Sequence, residues 1–198
     1  MKGFAAAGAD PRSGFEAGKG AGQRFAVKLT IAVEDVDRFI TDPRHVASVS
    51  GHAESALIGG RQQIERGTFN LLVHETDPAK KRMLYRLFFK GPDGQPRTLS
   101  GAKEIVDDEG LDVWADTTTL FVRVFTGAVE AADEGNATAE LAGIIRIEQA
   151  DFLRQLTTFR TEGGTLGDRL SALNRFGALF MGKIWDAYGR RVLEFGPF

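Results

Sequence analysis

The chain contains no cysteine among its 198 residues. This absence excludes a disulfide framework, a thiolate nucleophile and any metal or cluster site with cysteine ligands. Histidine is scarce as well, since only His45, His52 and His74 occur, and none stands at a metal-ligand spacing such as HxxxH. We therefore expect surface histidines, no metal and no cofactor.

Charge of one sign and long apolar runs are also missing. Lysine and arginine total 25 against 27 acidic residues, and no basic block dominates, so a nucleic-acid partner is not expected. No stretch approaches the roughly 20 apolar residues of a membrane span. The apolar run in MKGFAAAGAD is too short for a signal peptide. These features together favour a cytoplasmic protein.

Large apolar side chains are rare in residues 1–24, which contain six glycines and six alanines. A segment that buries little apolar area cannot offset its ordering entropy, so we expect a flexible leader there. The run GKGAG within it resembles a phosphate loop, but that motif requires a preceding strand and a following helix, and neither is evident. The chain also lacks a GxSxG elbow and a strand-borne GxGxxG motif.

Alternation of apolar and polar residues begins at Phe25 with FAVKLTIAV, the period of a half-buried strand. EDVDRFITDP then has helical spacing and ends near Pro43. Further strand candidates are 52–58, 62–74, 81–90, 97–106, 111–125 and 138–148. Strands joined by short turns are antiparallel neighbours, and a sheet of this many strands tends to close. The sequence predicts a mostly β fold, with a calycin- or lipocalin-like antiparallel barrel over 25–160.

The C-terminal region, 161–198, has a different pattern. Its apolar residues recur at steps of three and four: Leu166, Leu170, Leu173, Gly177, Phe180, Ile184 and Tyr188. This spacing predicts a long amphipathic helix. We expect it to pack on the outside or the mouth of the barrel, where it would cover Phe121 and Phe125; a partner-binding helix is the alternative.

The pleat assigns faces to the strand KKRMLYRLFFK. Its odd residues, Met83, Tyr85, Leu87 and Phe89, are predicted to point inward, and its even residues, including Arg82 and Arg86, outward. With DDEG and PDGQP as hairpin loops, the predicted pairs are Tyr85–Lys103, Phe89–Leu99, Lys103–Trp114, Gly101–Asp116 and Leu99–Thr118.

This arrangement puts Lys103 on the inner face between Tyr85 and Trp114, with Asp116 diagonal to it. One interpretation is a structural ion pair of Lys103 with Asp116, completed by Thr118. The other is the polar anchor of a small-molecule cavity, which a barrel of about eight strands can hold. The candidate ligand-binding residues are Tyr85, Phe89, Lys103, Trp114, Asp116 and Thr118.

Several stretches, among them FEAGKGAG, VKLTIAVEDVDRFITDP, MLYRLFF, WADTTTLFVRVF and DFLRQLTTF, resemble one family. It is a domain of large bacterial glucose–methanol–choline (GMC) type flavin oxidoreductases of the cholesterol oxidase kind, where it lies between the oxidase and an α/β-hydrolase-like part. The resemblance implies lipid or sterol metabolism and a GMC-type partner. The flavin motif belongs to a part that this chain lacks, so neither flavin nor oxidase chemistry is carried over.

The expected function is a non-catalytic module that binds a small hydrophobic, lipid- or sterol-like molecule and accompanies lipid-modifying oxidoreductases. An isomerase or cyclase using Lys103 and Asp116 as acid–base groups is one alternative. A homo-oligomerisation module using the C-terminal helix or the outer arginine face is the other.

Overall fold

The computed structural model describes residues 1–74, 80–106, 118–148, 151, 158 and 160–192. Its strands are β1 (Lys2–Ala7), β2 (Arg24–Ala32), β3 (Val46–Ser55), β4 (Gly60–Ile64), β5 (Arg66–His74), β6 (Lys80–Lys90), β7 (Pro96–Val106), β8 (Thr119–Thr126) and β9 (Ala139–Arg146). Its helices are α1 (Pro11–Gly20), α2 (Val36–Thr41) and α3 (Leu166–Val192), with short 3-10 turns at Ala56–Ile58 and Glu134–Asn136.

The strands close into a barrel. Hydrogen-bonded neighbours run in the order β2-β1-β9-β8-β7-β6-β5-β3, and pairing of β3 with β2 completes an eight-membered antiparallel ring. β4 pairs with the second half of β3 and is separated from β5 only by Glu65. The predicted mostly β barrel with a C-terminal helix is therefore confirmed.

The expectation of a flexible leader over 1–24 is wrong. β1 lies between β2 and β9 and pairs with both, so it is a member of the ring. α1 follows, with the Asp10 carboxylate accepting the backbone N–H of Ser13 at 2.8 Å and Pro11 in the first turn.

Two glycines of α1 explain why a chain so poor in large side chains is ordered here. A Cβ on Gly14 would lie 2.1 Å from the carbonyl oxygen of Ala142, and one on Gly18 would lie 2.3 Å from that of Ala5. The helix therefore rests directly on the backbone of β1 and β9. The two glycines permit close packing of α1 on the sheet. The amino-acid composition of the segment does not reveal this packing.

α2 and α3 lie together. α2 begins after Asp35, whose carboxylate accepts from the backbone N–H of Arg38 at 3.0 Å, and it buries Phe39. The ring of Phe176 in α3 lies 5.8 Å from that of Phe39, and Arg175 forms an ion pair with Asp37. α3 is thus anchored through α2.

Among the described residues Phe121 contacts α1, whereas the C-terminal helix was expected to cover it. The guanidinium of Arg12, in α1, lies 5.9 Å from the centroid of Phe121, so it is α1 that approaches this ring. Phe125 is buried as well.

The predicted faces are confirmed. Met83, Tyr85, Leu87 and Phe89 are buried, as are Leu120, Val122 and Val124 on β8. All of these except Met83 and Tyr85 are at most 1% exposed, and they join a single core cluster with Phe25, Val27, Phe69 and Leu71. The core therefore fills the barrel.

The predicted registers are wrong. On β6 and β7, Tyr85 pairs with Gly101 and Phe89 with Arg97, two residues from the expected partners Lys103 and Leu99. On β7 and β8, Gly101 pairs with Val122, six residues from the expected Asp116, and Leu99 pairs with Val124. Both registers differ from the predicted ones by an even number of residues. The same side chains therefore still point inward, although their cross-strand partners change.

Candidate functional site

Lys103 points into the barrel from β7. It is 5% exposed, pairs in register with Met83, and its Nζ lies 5.9 Å from the centroid of the Tyr85 ring. Tyr85 in turn contacts Phe69, with ring centroids 4.8 Å apart. A cation is thus embedded in a wall of methionine and aromatic side chains.

Burial changes the proton affinity of this amine. Desolvation lowers the pKa of Lys103 to about 8, because the charged form loses its hydration. None of the ion pairs between described residues includes Lys103. Burial also raises the pKa of the Tyr85 hydroxyl, which therefore stays protonated at neutral pH.

Of the remaining predicted site residues, Thr118 and Phe89 are described by the structure, and Trp114 and Asp116 are not. Thr118 is buried, and its carbonyl oxygen accepts the backbone N–H of Ile147 at 3.0 Å. Phe89 is buried too, but it lies six positions along β6 from Met83, which is roughly 20 Å of strand. Phe89 therefore belongs to the opposite end of the core, away from Lys103. Trp114 and Asp116 lie outside the described residues, and the register that brought Asp116 opposite Gly101 no longer holds.

Sequence reasoning missed His45, which was expected at the surface. It is 4% exposed, its Nδ1 lies 2.7 Å from the carbonyl oxygen of Phe39, and its ring is 5.5 Å from that of Phe39. The carbonyl oxygen of His45 accepts the N–H of Leu71, next to the β-bulge of β5. The backbone φ of 42° at His45 is uncommon for a residue other than glycine, and a single histidine in the sequence is too weak a signal to predict it.

Two cavities lie away from Lys103. A groove of about 790 Å³ runs along the outer face of β5 to β8, lined by arginines 82, 86 and 123 among others. A smaller cavity of about 140 Å³ lies at the opposite end of the barrel, beside Pro92, Arg97 and Glu140. Neither of these two cavities is lined by Lys103.

Within the ranges that the structure describes, no group of three histidine, aspartate or glutamate side chains is placed to hold a metal ion. In the same ranges, no helix has the length and apolar character needed to cross a bilayer.

The fold and the buried amine define a class: a closed antiparallel eight-stranded barrel with a lysine on its interior wall. No protein-family model matches the chain, and no curated protein or solved structure is significantly similar to it.

Proposed function

We propose that the protein is a non-catalytic binding module that holds a small hydrophobic molecule at the Lys103 end of the barrel. The observation that carries this proposal is the burial of Lys103 without a carboxylate partner among the described residues. A buried charge is costly unless it is paired, and a ligand with an acidic or carbonyl oxygen would supply the pair.

The surroundings of Lys103 suit an apolar body with one polar end. Met83 and Tyr85 flank the amine, and Leu71 continues this part of the wall toward His45 and Phe39. Apolar walls with few polar groups are typical of small-molecule sites.

Space for the ligand would come from rearrangement of the Met83 side chain and of α3. Met83 is an unbranched side chain that repacks at low cost. Phe176 and Leu179 of α3 are only partly buried against the core, so a shift of α3 would open this end. In this proposal the ligand replaces contacts of Met83 and α3.

The resemblance to a domain of GMC-type oxidoreductases favours a sterol or another lipid as the ligand. In that setting the module would hold a lipid for, or beside, a lipid-modifying oxidoreductase. This association is part of the proposal and is tested by pull-down only after a ligand has been found.

Native mass spectrometry of the protein purified from cells tests the proposal. We expect a retained lipid-sized mass on the wild-type protein and on Lys28→Met, which removes an exposed outward lysine, and its loss from Lys103→Met. If nothing co-purifies, a dansylated undecanoic acid serves as the fluorescent probe, with about tenfold weaker binding expected for Lys103→Met. Equal binding by the two variants, or no binding by the wild type, would overturn the proposal.

An isomerase or cyclase at the same lysine is the second candidate, favoured by one observation. A pKa of about 8 lets Lys103 exchange a proton near neutral pH, as a general acid–base group must. Extraction of the bound molecule after prolonged incubation separates the two functions, because a binding module returns it unchanged.

A further inference from the structure

The floor of the outer groove is formed by outward-facing side chains of β5 to β8, on the opposite side of the sheet from the barrel interior. Register aligns outward side chains in three rows across the strands. They are a polar row of Thr68, Arg86, Ser100 and Arg123, a mainly apolar row of Asn70, Leu84, Ala102 and Phe121, and the ion pair of Arg82 with Glu104. Ala102 is small and stands between Leu84 and Phe121, so the middle row forms a shallow apolar strip.

One wall of the groove is the segment 127–137. Glu134 accepts hydrogen bonds from Arg86 and from the Ser100 hydroxyl, the latter at 2.8 Å. Arg86 also donates to the carbonyl oxygen of Val129 at 2.8 Å. These bonds tie the wall to the polar row of the floor, so the groove is built before any ligand arrives.

The opposite wall is the start of α1, and it supplies charge. Arg12 lies over the ring of Phe121, and the Nε of Arg123 donates to the carbonyl oxygen of Ala9 at 3.0 Å. The carboxylate of Asp10 is engaged by the backbone and hydroxyl of Ser13, at 2.8 and 2.7 Å. Arg12 of α1 and Arg123 of β8 thus place two guanidinium groups at one end of the apolar strip.

The remaining arginines of the groove differ from these two. Arg82 is paired with Glu104 and Arg86 with Glu134. No ion pair between described residues includes Arg12 or Arg123. The pKa of the Asp10 carboxyl is lowered first by the hydrogen bonds from Ser13 and then by the charges of Arg123 and Arg12, so both guanidinium groups act on this carboxylate. Among the described residues the terminal nitrogens of Arg123 make no hydrogen bond, so they can donate to an oxyanion, for which a guanidinium is a planar, multidentate donor.

We propose that this groove binds a small molecule that has an apolar body and one carboxylate or phosphate group. The body lies on the strip of Leu84, Ala102 and Phe121, and the oxyanion is held by Arg12 and Arg123. The volume of about 790 Å³ is within the range of small-molecule sites. This site lies on the opposite side of the sheet from Lys103 and does not depend on the function proposed above.

The test uses three probes with one tail: octanoate, octyl phosphate and octanol. Backbone amide shifts in NMR titrations are read at Ser100–Ala102 and Phe121–Arg123. We expect saturable shifts with at least one anionic probe, and binding of octanol weaker by about tenfold, because octanol cannot accept charged hydrogen bonds. Comparison of octanoate with octyl phosphate identifies which oxyanion the groove prefers.

Variants locate the site. We expect the double variant Arg12→Gln/Arg123→Gln to bind the anionic probe about tenfold more weakly, while the control Arg24→Gln/Arg38→Gln, with the same change in net charge outside the groove, binds as the wild type does. Ala102→Leu, which fills the strip without changing charge, should also weaken binding, and Lys103→Met should not. No shift at about 10 mM probe, equal affinity in Arg12→Gln/Arg123→Gln, or loss of the shifts in Lys103→Met would overturn the proposal.

Discussion

Lys103 carries an ammonium group into a wall formed by Met83, Tyr85 and their neighbours. Alternation along β7 and its partners was enough to predict that this lysine points inward, because the side-chain period of a strand is two. Its environment was not predictable, since that depends on register. The expected partner Tyr85 is two residues further along β6, and Met83 stands directly opposite Lys103.

The buried amine should make stability depend on pH. In the unfolded chain the pKa of Lys103 is near its ordinary value of 10.5, and in the folded protein it is about 8. Between these values the unfolded state binds more protons than the folded state, so the free energy of unfolding rises with pH. At about 1.4 kcal/mol for each pKa unit, the gain across this window is about 3 kcal/mol.

Lys103→Met isolates this contribution. We expect the variant to unfold at higher urea concentration than the wild type at pH 7, because a buried charge is replaced by an apolar side chain of similar length. The difference should shrink as the pH rises from about 8 to 10.5. Urea titrations at a series of pH values measure it, and a difference that stays constant would show that the amine is hydrated in the folded protein.

At the scale of elements, α1 shows how composition can mislead. Large apolar side chains are rare in residues 1–24, and the small apolar area that such a segment buries argued for a loose leader. Gly14 and Gly18, however, face the backbone of β9 and β1, where any Cβ would collide. A periodic pattern of small residues can therefore indicate the face by which a helix packs. The sequence alone does not show this, because the surface that the helix contacts is not known from it.

Gly18→Ala and Gly20→Ala form a matched pair that tests this. A Cβ at Gly18 would lie 2.3 Å from a backbone carbonyl oxygen, whereas one at Gly20 meets nothing within 4 Å. We expect Gly18→Ala to lower the free energy of unfolding by about 1–3 kcal/mol through overpacking. Gly20→Ala should leave it unchanged or raise it by up to about 1 kcal/mol. Chemical denaturation checks both; a stabilised Gly18→Ala variant would mean that α1 does not rest on the sheet.

The connections from β6 to β7 and from β7 to β8 show how far turn residues predict the position of a turn and the register of the strands it joins. Turn residues located the connection between β6 and β7 to within one residue, but Pro96 belongs to β7 and pairs with Lys90 instead of standing in the loop. Between β7 and β8 the paired residues Ala102 and Phe121 stand much further apart in sequence than a hairpin closed at DDEG requires. Hydrophobic alternation limits register errors to even shifts and cannot select among them.

At the scale of the whole molecule, closure of the barrel depends on β1, a strand that the sequence did not predict. β1 supplies the only link between β2 and β9 in the described ring, and it contributes the fully buried Ala5 to the core. The long strands predicted a closed sheet correctly because open edges are unfavourable. The closing strand was missed because KGFAAA has little β propensity of its own and is selected by the two edges it joins.

Deletion of residues 1–23 should therefore open the barrel. The pairing edges of β9 and β2 would be exposed along with the core face that Ala5 covers, and an exposed edge promotes aggregation. Deletion of residues 165–198 is the control, because it removes α3 and leaves every strand of the ring in place. We expect cooperative thermal unfolding and a near-UV circular dichroism signal to persist in the control and to disappear in the N-terminal deletion, which should instead bind the dye ANS. A cooperative transition at the wild-type temperature in the N-terminal deletion would mean that β2 and β9 can close the ring without β1.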